Sequence, residues 1–152
     1  QKVKDQEELG KIAGVTGTPG SFVYDTVTKQ AIQLGGAVPL ETMEAELAKL
    51  KAGEGEVINI APITEEDFIR GNMDARYAII EWSDYECPYC GRFQESTSQL
   101  VEKNDEVKWV YRQFPLDALH PNTREKSVAA LCVGQIASND AFWEFSDILL
   151  GL

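Results

Sequence analysis

Two cysteines, three positions apart, carry the most evident chemistry in this chain. Cys87 and Cys90 are separated by Pro88 and Tyr89; they follow an aromatic and β-branched run and open a segment patterned as a helix. The N-terminus of a helix presents unpaired backbone N–H groups and the positive end of the helix dipole, and both stabilise an anion. We therefore expect Cys87 to form a thiolate that attacks disulfides, with Cys90 able to reach the same sulfur.

The same spacing also supplies half of many zinc sites. The other soft ligands in the chain are His120 and Cys132, which lie in a different segment and do not form a second closely spaced pair. A plain structural disulfide is the third interpretation. Pro88 suits the first position of a helix, where its missing N–H costs nothing. Spacing and context favour redox chemistry, and they leave zinc binding and a structural disulfide as alternatives.

The composition argues against several other classes of function. A length of 152 residues suffices for one domain with its own core. The net charge of −11, without any cluster of Lys and Arg, disfavours binding to nucleic acid or to an anionic membrane surface. No apolar run is long enough to span a bilayer. Residues 1–20 do not resemble a signal peptide, so we expect any export signal to have been removed or to lie outside this stretch.

Hydrophobic periodicity and turn residues predict the elements that position the cysteines. We predict helices over residues 4–13, from Pro39 to about residue 50, over 88–103, and twice after Pro121, with Ser138 capping the last. We predict strands over 21–25, 31–34, 77–83 and 107–112. Residues 51–63 are charged and Gly-rich, which indicates a linker, with a short edge strand around Ile58 and Ile60. Residues 64–67 are predicted to form a short capped helical turn.

Two of these helices carry predictions about which side chains are buried. In the first helix, Leu9 and Ile12 are expected to face the core, and Gly14 is expected to end the helix. In the helix after Pro121, Leu131 and Cys132 share a stripe with Val128. A free cysteine on such a stripe is most simply a buried structural residue.

Together these segments resemble a known family. Residues 81–93 (EWSDYECPYCGRF), 110–116 (VYRQFPL) and His120-Pro121 resemble the first half of a DsbA-like thiol–disulfide oxidoreductase, and Phe142-Trp143 resembles that family's helical insertion. Residues 14–19 (GVTGTP), the hairpin and residues 36–39 (GAVP) resemble its second half. The resemblance implies an α/β fold of the thioredoxin type, in which a mixed β-sheet is flanked by helices and bears a helical appendage.

The order of the halves differs from that of the family. Residues 1–50 resemble the C-terminal half, 51–76 form a linker, 77–115 resemble the catalytic N-terminal half, and 116–152 resemble a partly truncated helical insertion. We interpret the whole chain as a single, circularly permuted domain. A self-contained monomer is the favoured arrangement, and a domain-swapped dimer is the alternative.

The resemblance also implies roles for individual residues. Cys87 is the expected nucleophile and Cys90 the resolving thiol. Pro19 is expected to be the cis-proline that faces them, and it would contact substrate together with Thr18, Pro88 and Tyr89. The backbone of Thr18 could pair with an extended substrate strand.

Five side chains near this motif carry further expectations. As a strand residue, Glu81 is about as suited to solvent as to the interior; in the family an acidic residue there lies beneath the active site, where a raised pKa would suit proton exchange with Cys90. Tyr89 stands where the best-known members carry histidine, so we expect a less acidic Cys87. His120 is predicted to be a hydrogen-bonding turn residue, and Asp84 and Glu86 to be solvated.

We therefore predict a protein thiol–disulfide oxidoreductase that uses no metal or organic cofactor beyond the redox-active Cys87–Cys90 pair. Its expected partners are protein thiols or disulfides and a redox partner protein, in an extracytoplasmic bacterial setting. A disulfide reductase or isomerase is the nearest alternative. From another class, the alternative is a non-catalytic peptide-binding or zinc-stabilised module.

Overall fold

The computed structural model describes residues 1–151, which form a six-stranded β-sheet flanked by five helices. The helices are α1 (Lys2–Ile12), α2 (Leu40–Lys51), α3 (Pro88–Lys103), α4 (Thr123–Ile136) and α5 (Asn139–Leu149). The strands are β1 (Gly20–Asp25), β2 (Gln30–Leu34), β3 (Glu56–Val57), β4 (Phe68–Gly71), β5 (Tyr77–Ser83) and β6 (Val107–Gln113). The predicted α/β fold class, a mixed sheet flanked by helices, is confirmed.

The strand order is β3-β2-β1-β5-β6-β4, and only β5 and β6 run parallel. At the centre of the sheet, β1 pairs antiparallel with β5, so that Ser21 lies opposite Glu81. The N-terminal segment and the cysteine-bearing segment therefore share one sheet within one chain. Their assignment to the two halves of the family in permuted order stays a prediction.

The helices next to the site follow from the sequence pattern. α3 has the predicted bounds, with Pro88 in its first turn, and buries Phe93, Thr97, Leu100 and Val101 as predicted. α2 follows Pro39 and buries Met43, Leu47 and Leu50. Both helices contribute to one core against the sheet, and α1 packs with the core on the other side.

The predicted linker contains more strand than expected. A two-residue strand forms at Glu56–Val57, just before the predicted position, and β4 follows residues 64–67, which make a turn rather than a helix. Arg112, only 2% exposed, holds the segment before β4 in place, because its guanidinium donates to the Asp67 carboxylate (3.0 Å) and to the carbonyls of Ala61 and Pro62. These contacts join residues about 50 positions apart, so local pattern does not reveal them.

The buried face of α1 differs from the predicted one. Ile12 is 51% exposed, and Leu9 is only partly buried, whereas Gln6 and Gly10 face the core. A Cβ at residue 10 would lie 2.8 Å from the Trp82 ring, and the Trp82 indole donates to the Gln6 carbonyl at 2.8 Å. The close approach of Trp82 therefore requires a glycine at position 10, and the Gln6 side chain is buried because its Oε1 accepts from the Gln113 N–H at 2.8 Å. A hydrophobic pattern identifies neither residue. Gly14 ends the helix with φ +92°, as predicted.

The buried face of α4 also differs from the prediction. Leu131 is buried, but Cys132 is exposed and Val128 is 47% exposed. Apart from Leu131, the face that packs inward consists of small or short side chains, among them Gly134, which lies against the Phe68 ring. Ser138 caps α5 as predicted, accepting a hydrogen bond from the Ala141 N–H at 3.0 Å. Among residues 1–151, no helix has both the length and the apolar character that crossing a bilayer requires.

Candidate active site

Cys87 occupies the N-cap position of α3. Its carbonyl accepts from the N–H groups of Cys90 (3.1 Å) and Gly91 (3.4 Å), and its own N–H donates to the Asp84 carbonyl (3.2 Å). Pro88 stands at the first helical position. Both cysteines are free thiols; Cys87 is 7% exposed and Cys90 is fully buried. The turn thus places one sulfur at the surface end of the helix and the other beneath it.

The loop before β1 meets this turn from the other segment of the chain. The Thr18-Pro19 peptide bond is cis, and the Thr18 carbonyl accepts from the Cys87 thiol at 3.5 Å. A groove of about 450 Å³ runs beside this loop, lined by residues 15–20 and 33–36. The structure therefore places Thr18 and Pro19 next to the cysteine pair within a single chain.

The surroundings of Cys87 favour its thiolate. The Cys90 thiol contributes most, and together with the Thr18 side chain and the N–H groups of Cys90 and Tyr89 it outweighs burial and lowers the pKa of Cys87 to about 5. Tyr89 itself is 54% exposed, and its ring lies 4.9 Å from the Arg92 guanidinium. The acidity of Cys87 thus arises without an imidazolium between the cysteines.

The surroundings of Cys90 and Glu81 raise the pKa of both side chains and so favour their protonated forms. Burial, the hydrogen bond with Cys87 and the nearby Glu81 carboxylate together raise the pKa of Cys90 far above its ordinary value. Glu81 is fully buried, and burial raises its pKa to about 8, although the nearby Ser83 hydroxyl and the hydrogen bond from Trp109 oppose this increase. The Trp109 indole donates to Glu81 Oε2 at 2.9 Å. Glu81 is therefore a buried acid that can hold or release a proton near neutral pH beside Cys90.

Asp84 is a site residue whose environment we did not predict. Instead of being solvated it is fully buried. Its carboxylate accepts four hydrogen bonds, from the N–H groups of Glu86 (2.7 Å) and Leu116 (2.8 Å), from His120 Nδ1 (2.9 Å) and from Thr123 Oγ1 (2.6 Å). Asp84 therefore ties the turn before Cys87 to the loop before α4. The signal available in the sequence was weak: aspartate often bonds the N–H two residues on, as it does here with Glu86.

The hydrogen bonds around Asp84 favour the charged forms of both Asp84 and His120. Burial raises the pKa of Asp84, but its four donors outweigh burial and bring the pKa below the ordinary value. The bond to Asp84 is the main reason that the pKa of His120 is raised. His120 is thus a hydrogen-bonding turn residue, as predicted. Within residues 1–151, no group of three or more His, Cys, Asp or Glu side chains is arranged to hold a metal ion.

A family model and a solved structure match the part of the chain that carries the cysteines. Residues 63–151 match the family model described as thioredoxin. The crystal structure of Pseudomonas aeruginosa DsbA2 superposes with a TM-score of 0.55 at 25% sequence identity, covering 60% of this chain and 50% of that one. These matches confirm the resemblance to DsbA-like proteins of the thioredoxin fold. The family match leaves residues 1–62 outside it, so it does not test the permuted order.

Curated relatives match the chain over a limited part of their own length. The chain is 35% identical over 104 residues to a Salinispora tropica protein named Na(+)/H(+) antiporter NhaA 3, a match that covers 68% of this chain and 16% of that protein. A Salinispora arenicola protein named Na(+)/H(+) antiporter NhaA 1 is 33% identical over the same shares of the two chains. The chain thus spans about a sixth of the length of these relatives.

Proposed function

The chain belongs to the thioredoxin family, and from this membership and its DsbA-like fold we propose that it is a thiol–disulfide oxidoreductase. We propose further that it exchanges disulfides with protein substrates through a mixed disulfide at Cys87. The observation that carries the proposal is the contrast between the two thiols. Cys87 has a pKa lowered to about 5 and lies against the Thr18 carbonyl, whereas Cys90 is buried behind it with a raised pKa.

The reaction proceeds in two exchanges. The Cys87 thiolate attacks a substrate disulfide, a bond forms between Cys87 Sγ and one substrate sulfur, and the other substrate sulfur leaves as a thiolate. Cys90 then loses its proton and attacks Cys87 Sγ, which closes the Cys87–Cys90 disulfide and releases the second substrate thiolate. The two cysteines are oxidised by two electrons and the substrate disulfide is reduced. In the reverse direction the same steps oxidise substrate thiols.

The geometry around Thr18 suits an extended protein substrate. The loop carrying Thr18 and Pro19 borders the groove of about 450 Å³. Extended peptides are commonly recognised through hydrogen bonds to the backbone of such a segment. Pro88 and the exposed Tyr89 lie at the same end of α3. We propose that Thr18, Pro19, Pro88 and Tyr89 contact the substrate chain around its reacting sulfur.

Trapping of the mixed disulfide tests this function. With a model substrate disulfide, Cys90→Ser should accumulate a covalent adduct at Cys87, because the resolving thiol is gone, and Cys87→Ser should form none. Cys132→Ser is the matched control, since Cys132 is an exposed thiol on α4, and it should turn over like the wild type. Rapid turnover by Cys90→Ser, or an adduct that persists in Cys87→Ser, would refute the assigned roles.

The direction of the reaction separates oxidase from reductase or isomerase activity. Equilibration against a series of glutathione redox buffers gives the reduction potential of the Cys87–Cys90 pair, and the potential sets the favoured direction. Metal analysis of the reduced protein distinguishes a zinc-stabilised module from both. The antiport named for the curated relatives is not part of the proposal, because the chain spans only 16% of their length.

We propose that the redox-active cysteine pair is the only reactive group required, with no metal or organic cofactor. Likeness to DsbA-like proteins supports an extracytoplasmic bacterial setting and a partner protein that resets the pair. Because Thr18 and Cys87 meet within one chain, we propose an active monomer. Sedimentation combined with activity over a dilution series tests this: a dimer that loses activity as it dissociates would show that the site is built by domain swapping.

A further inference from the structure

A layer of polar side chains lies within the core beneath the cysteine pair. Each of five residues in it is fully buried and has a polar atom without a hydrogen-bond partner: Ser21 Oγ, Glu81 Oε1, Ser83 Oγ, Tyr111 OH and Gln113 Oε1. Buried polar groups in proteins are as a rule paired, so a cluster of five unpaired atoms is unusual. We call these five residues the buried polar layer.

Strand register places the layer on one face of the sheet. Ser21 lies opposite Glu81 across β1 and β5, Glu81 lies opposite Tyr111 across β5 and β6, and Ser83 lies opposite Gln113. Residues two apart on a strand point to the same face, which groups Glu81 with Ser83 and Tyr111 with Gln113. This is the face that α3 covers, since Tyr111 belongs to the same core cluster as Phe93.

Ser83 is the neighbour that Cys90 and Glu81 share. Its hydroxyl lowers the pKa of Glu81, of Cys90 and of Tyr111, although none of these pairs has the distance and angle of an ordinary hydrogen bond. Hydrogen bonds used in catalysis are often long before the substrate complex forms. A serine hydroxyl can accept one proton while it donates another. Ser83 therefore has the position and the chemistry to connect the two groups.

The titratable groups around Glu81 and the Trp109 indole do not offer an equivalent connection. The titratable groups that influence it or lie next to it are Cys87 and Cys90 from α3, Tyr85 from the turn before α3, and Tyr111 from β6. Burial raises the pKa of both tyrosines well above the ordinary value, so neither releases a proton near neutral pH. Trp109 donates to Glu81 Oε2 and cannot accept, which leaves Oε1 as the free acceptor atom.

We propose that Ser83 relays the proton between the Cys90 thiol and the Glu81 carboxylate, an inference that rests on the function proposed above. When the mixed disulfide resolves, the Cys90 S–H proton passes to Ser83 Oγ while the Ser83 hydroxyl proton passes to Glu81 Oε1. The Cys90 thiolate then attacks Cys87 Sγ, and the substrate sulfur leaves as a thiolate. Ser83 ends the step unchanged, Glu81 carries the proton, and no further oxidant is required.

A quenched-flow time course with oxidised glutathione tests the relay and the function separately. The reduced protein forms a mixed disulfide between Cys87 and one glutathione, and Cys90 then displaces that glutathione; both steps are followed by acid quenching and mass measurement. Ser83→Ala should form the mixed disulfide at the wild-type rate but resolve it about 10²-fold more slowly at pH 8, the usual scale of a general acid–base contribution. The wild-type resolution rate should rise with pH up to about 8, as Glu81 loses its proton, and Ser83→Ala should lose that rise.

Two matched variants control for structure. Ser127→Ala removes another fully buried, unpaired serine hydroxyl, on α4 and outside the layer, and it should leave both rates unchanged. Ser83→Thr keeps a hydroxyl and should retain the rise with pH. The relay is wrong if Ser83→Ala resolves at the wild-type rate with the wild-type pH profile, or if Ser127→Ala slows resolution equally. A wild-type protein that forms no mixed disulfide at all would overturn the proposed function, and the relay with it.

Discussion

Cys87 and Cys90 belong to one helical turn but lie in two different environments. Cys87, at the N-cap, has its pKa lowered to about 5 by the Cys90 thiol, the Thr18 side chain and the first N–H groups of the helix. Cys90 faces the sheet, where burial and the Glu81 carboxylate raise its pKa. The same chemical group is thus a ready nucleophile at one position and a protected thiol three residues later.

The pKa values of Cys87 and Cys90 differ because the surface region around Cys87 and the buried region around Cys90 stabilise a thiolate to different degrees. The surface region supplies donors, from the α3 N-terminus and from Thr18. The buried region contains an acid of its own, Glu81, whose charge raises the pKa of Cys90 more than the Ser83 hydroxyl lowers it. In the reaction proposed above, thiolate formation at Cys90 depends on moving its proton into the interior, which makes resolution by Cys90 a separate step from attack by Cys87.

Alkylation tests this contrast most strongly. At pH 6 Cys87 should be mostly thiolate, since its pKa is about 5, whereas even an ordinary cysteine is about 0.3% thiolate. Because Cys90 has a raised pKa and is also buried, Cys87 should react with iodoacetamide roughly 10³-fold faster or more. Peptide mapping after timed quenching measures both rates. Faster modification of Cys90 than of Cys87 would show that Cys87 is not the more acidic thiol.

The pH dependence of stability sharpens the comparison, because the two regions contribute with opposite sign. Glu81 has a pKa raised to about 8 in the folded protein, against about 4.3 unfolded, so its contribution to stability falls as pH rises between these values. Cys87 has a pKa lowered to about 5, against about 8.5 unfolded, so its contribution rises with pH over that window.

Replacement of Glu81 isolates one of these contributions. Glu81→Gln keeps an acceptor for the Trp109 indole and removes an acid that must take up a proton on folding at pH 7, because its pKa rises to about 8. It should therefore increase the free energy of unfolding by about 3 kcal/mol at pH 7 and by little at pH 4. Urea unfolding of the reduced protein at each pH measures the difference. Glu95→Gln, on the exposed face of α3, is the control and should show no such trend. An equal gain at both pH values would mean that Glu81 is not a buried ionisable acid.

The elements that carry the cysteines could be predicted from the sequence because local rules determine them. α3 begins at a proline after an N-cap and keeps a regular apolar face from Phe93 to Val101, and β5 is an aromatic and β-branched run in which Glu81 is the only charged residue. The functional position of Cys87 follows from that local geometry. The resemblance to a family added the partner loop at Thr18 and Pro19, which lies in a remote segment.

The surroundings of the site could not be predicted in the same way, because they depend on contacts between distant residues. Asp84 is buried because donors from residues 116–123 converge on it, and β4 forms because Arg112 orders the chain before it. Ile12 and Cys132 are exposed because α1 and α4 pack through small or polar residues. One signal was available: Ser83 is two residues after Glu81 on a strand, which places both on one face.

Asp84 ties the turn before Cys87 to the loop before α4, and its replacement should weaken that connection. Asp84→Asn replaces a carboxylate that accepts four hydrogen bonds with an amide that can accept fewer, so we expect a loss of about 2 kcal/mol in the free energy of unfolding at pH 7. Because the pKa of Asp84 is lowered in the folded protein, the loss should shrink as pH falls toward 3. Asp74→Asn, at an exposed position, serves as the control. An unchanged stability would show that the four bonds contribute nothing net.

The smallest expected effect concerns the residue between the cysteines. An imidazolium at position 89 should favour the Cys87 thiolate, stabilise the reduced form and raise the reduction potential. The side chain of Tyr89 is 54% exposed and lies against Arg92, so water and the existing guanidinium limit what a further charge can add. A charge near an exposed helix N-terminus is worth about 0.5–1 kcal/mol, which corresponds to about 10–20 mV for this two-electron couple. We therefore expect Tyr89→His to raise the potential by that amount in glutathione buffers below pH 6, and Tyr89→Phe, which keeps the ring, to leave it unchanged. A rise several times larger would mean that residue 89 turns toward Cys87 and that the acidity of this thiol depends on a side chain as well as on the backbone.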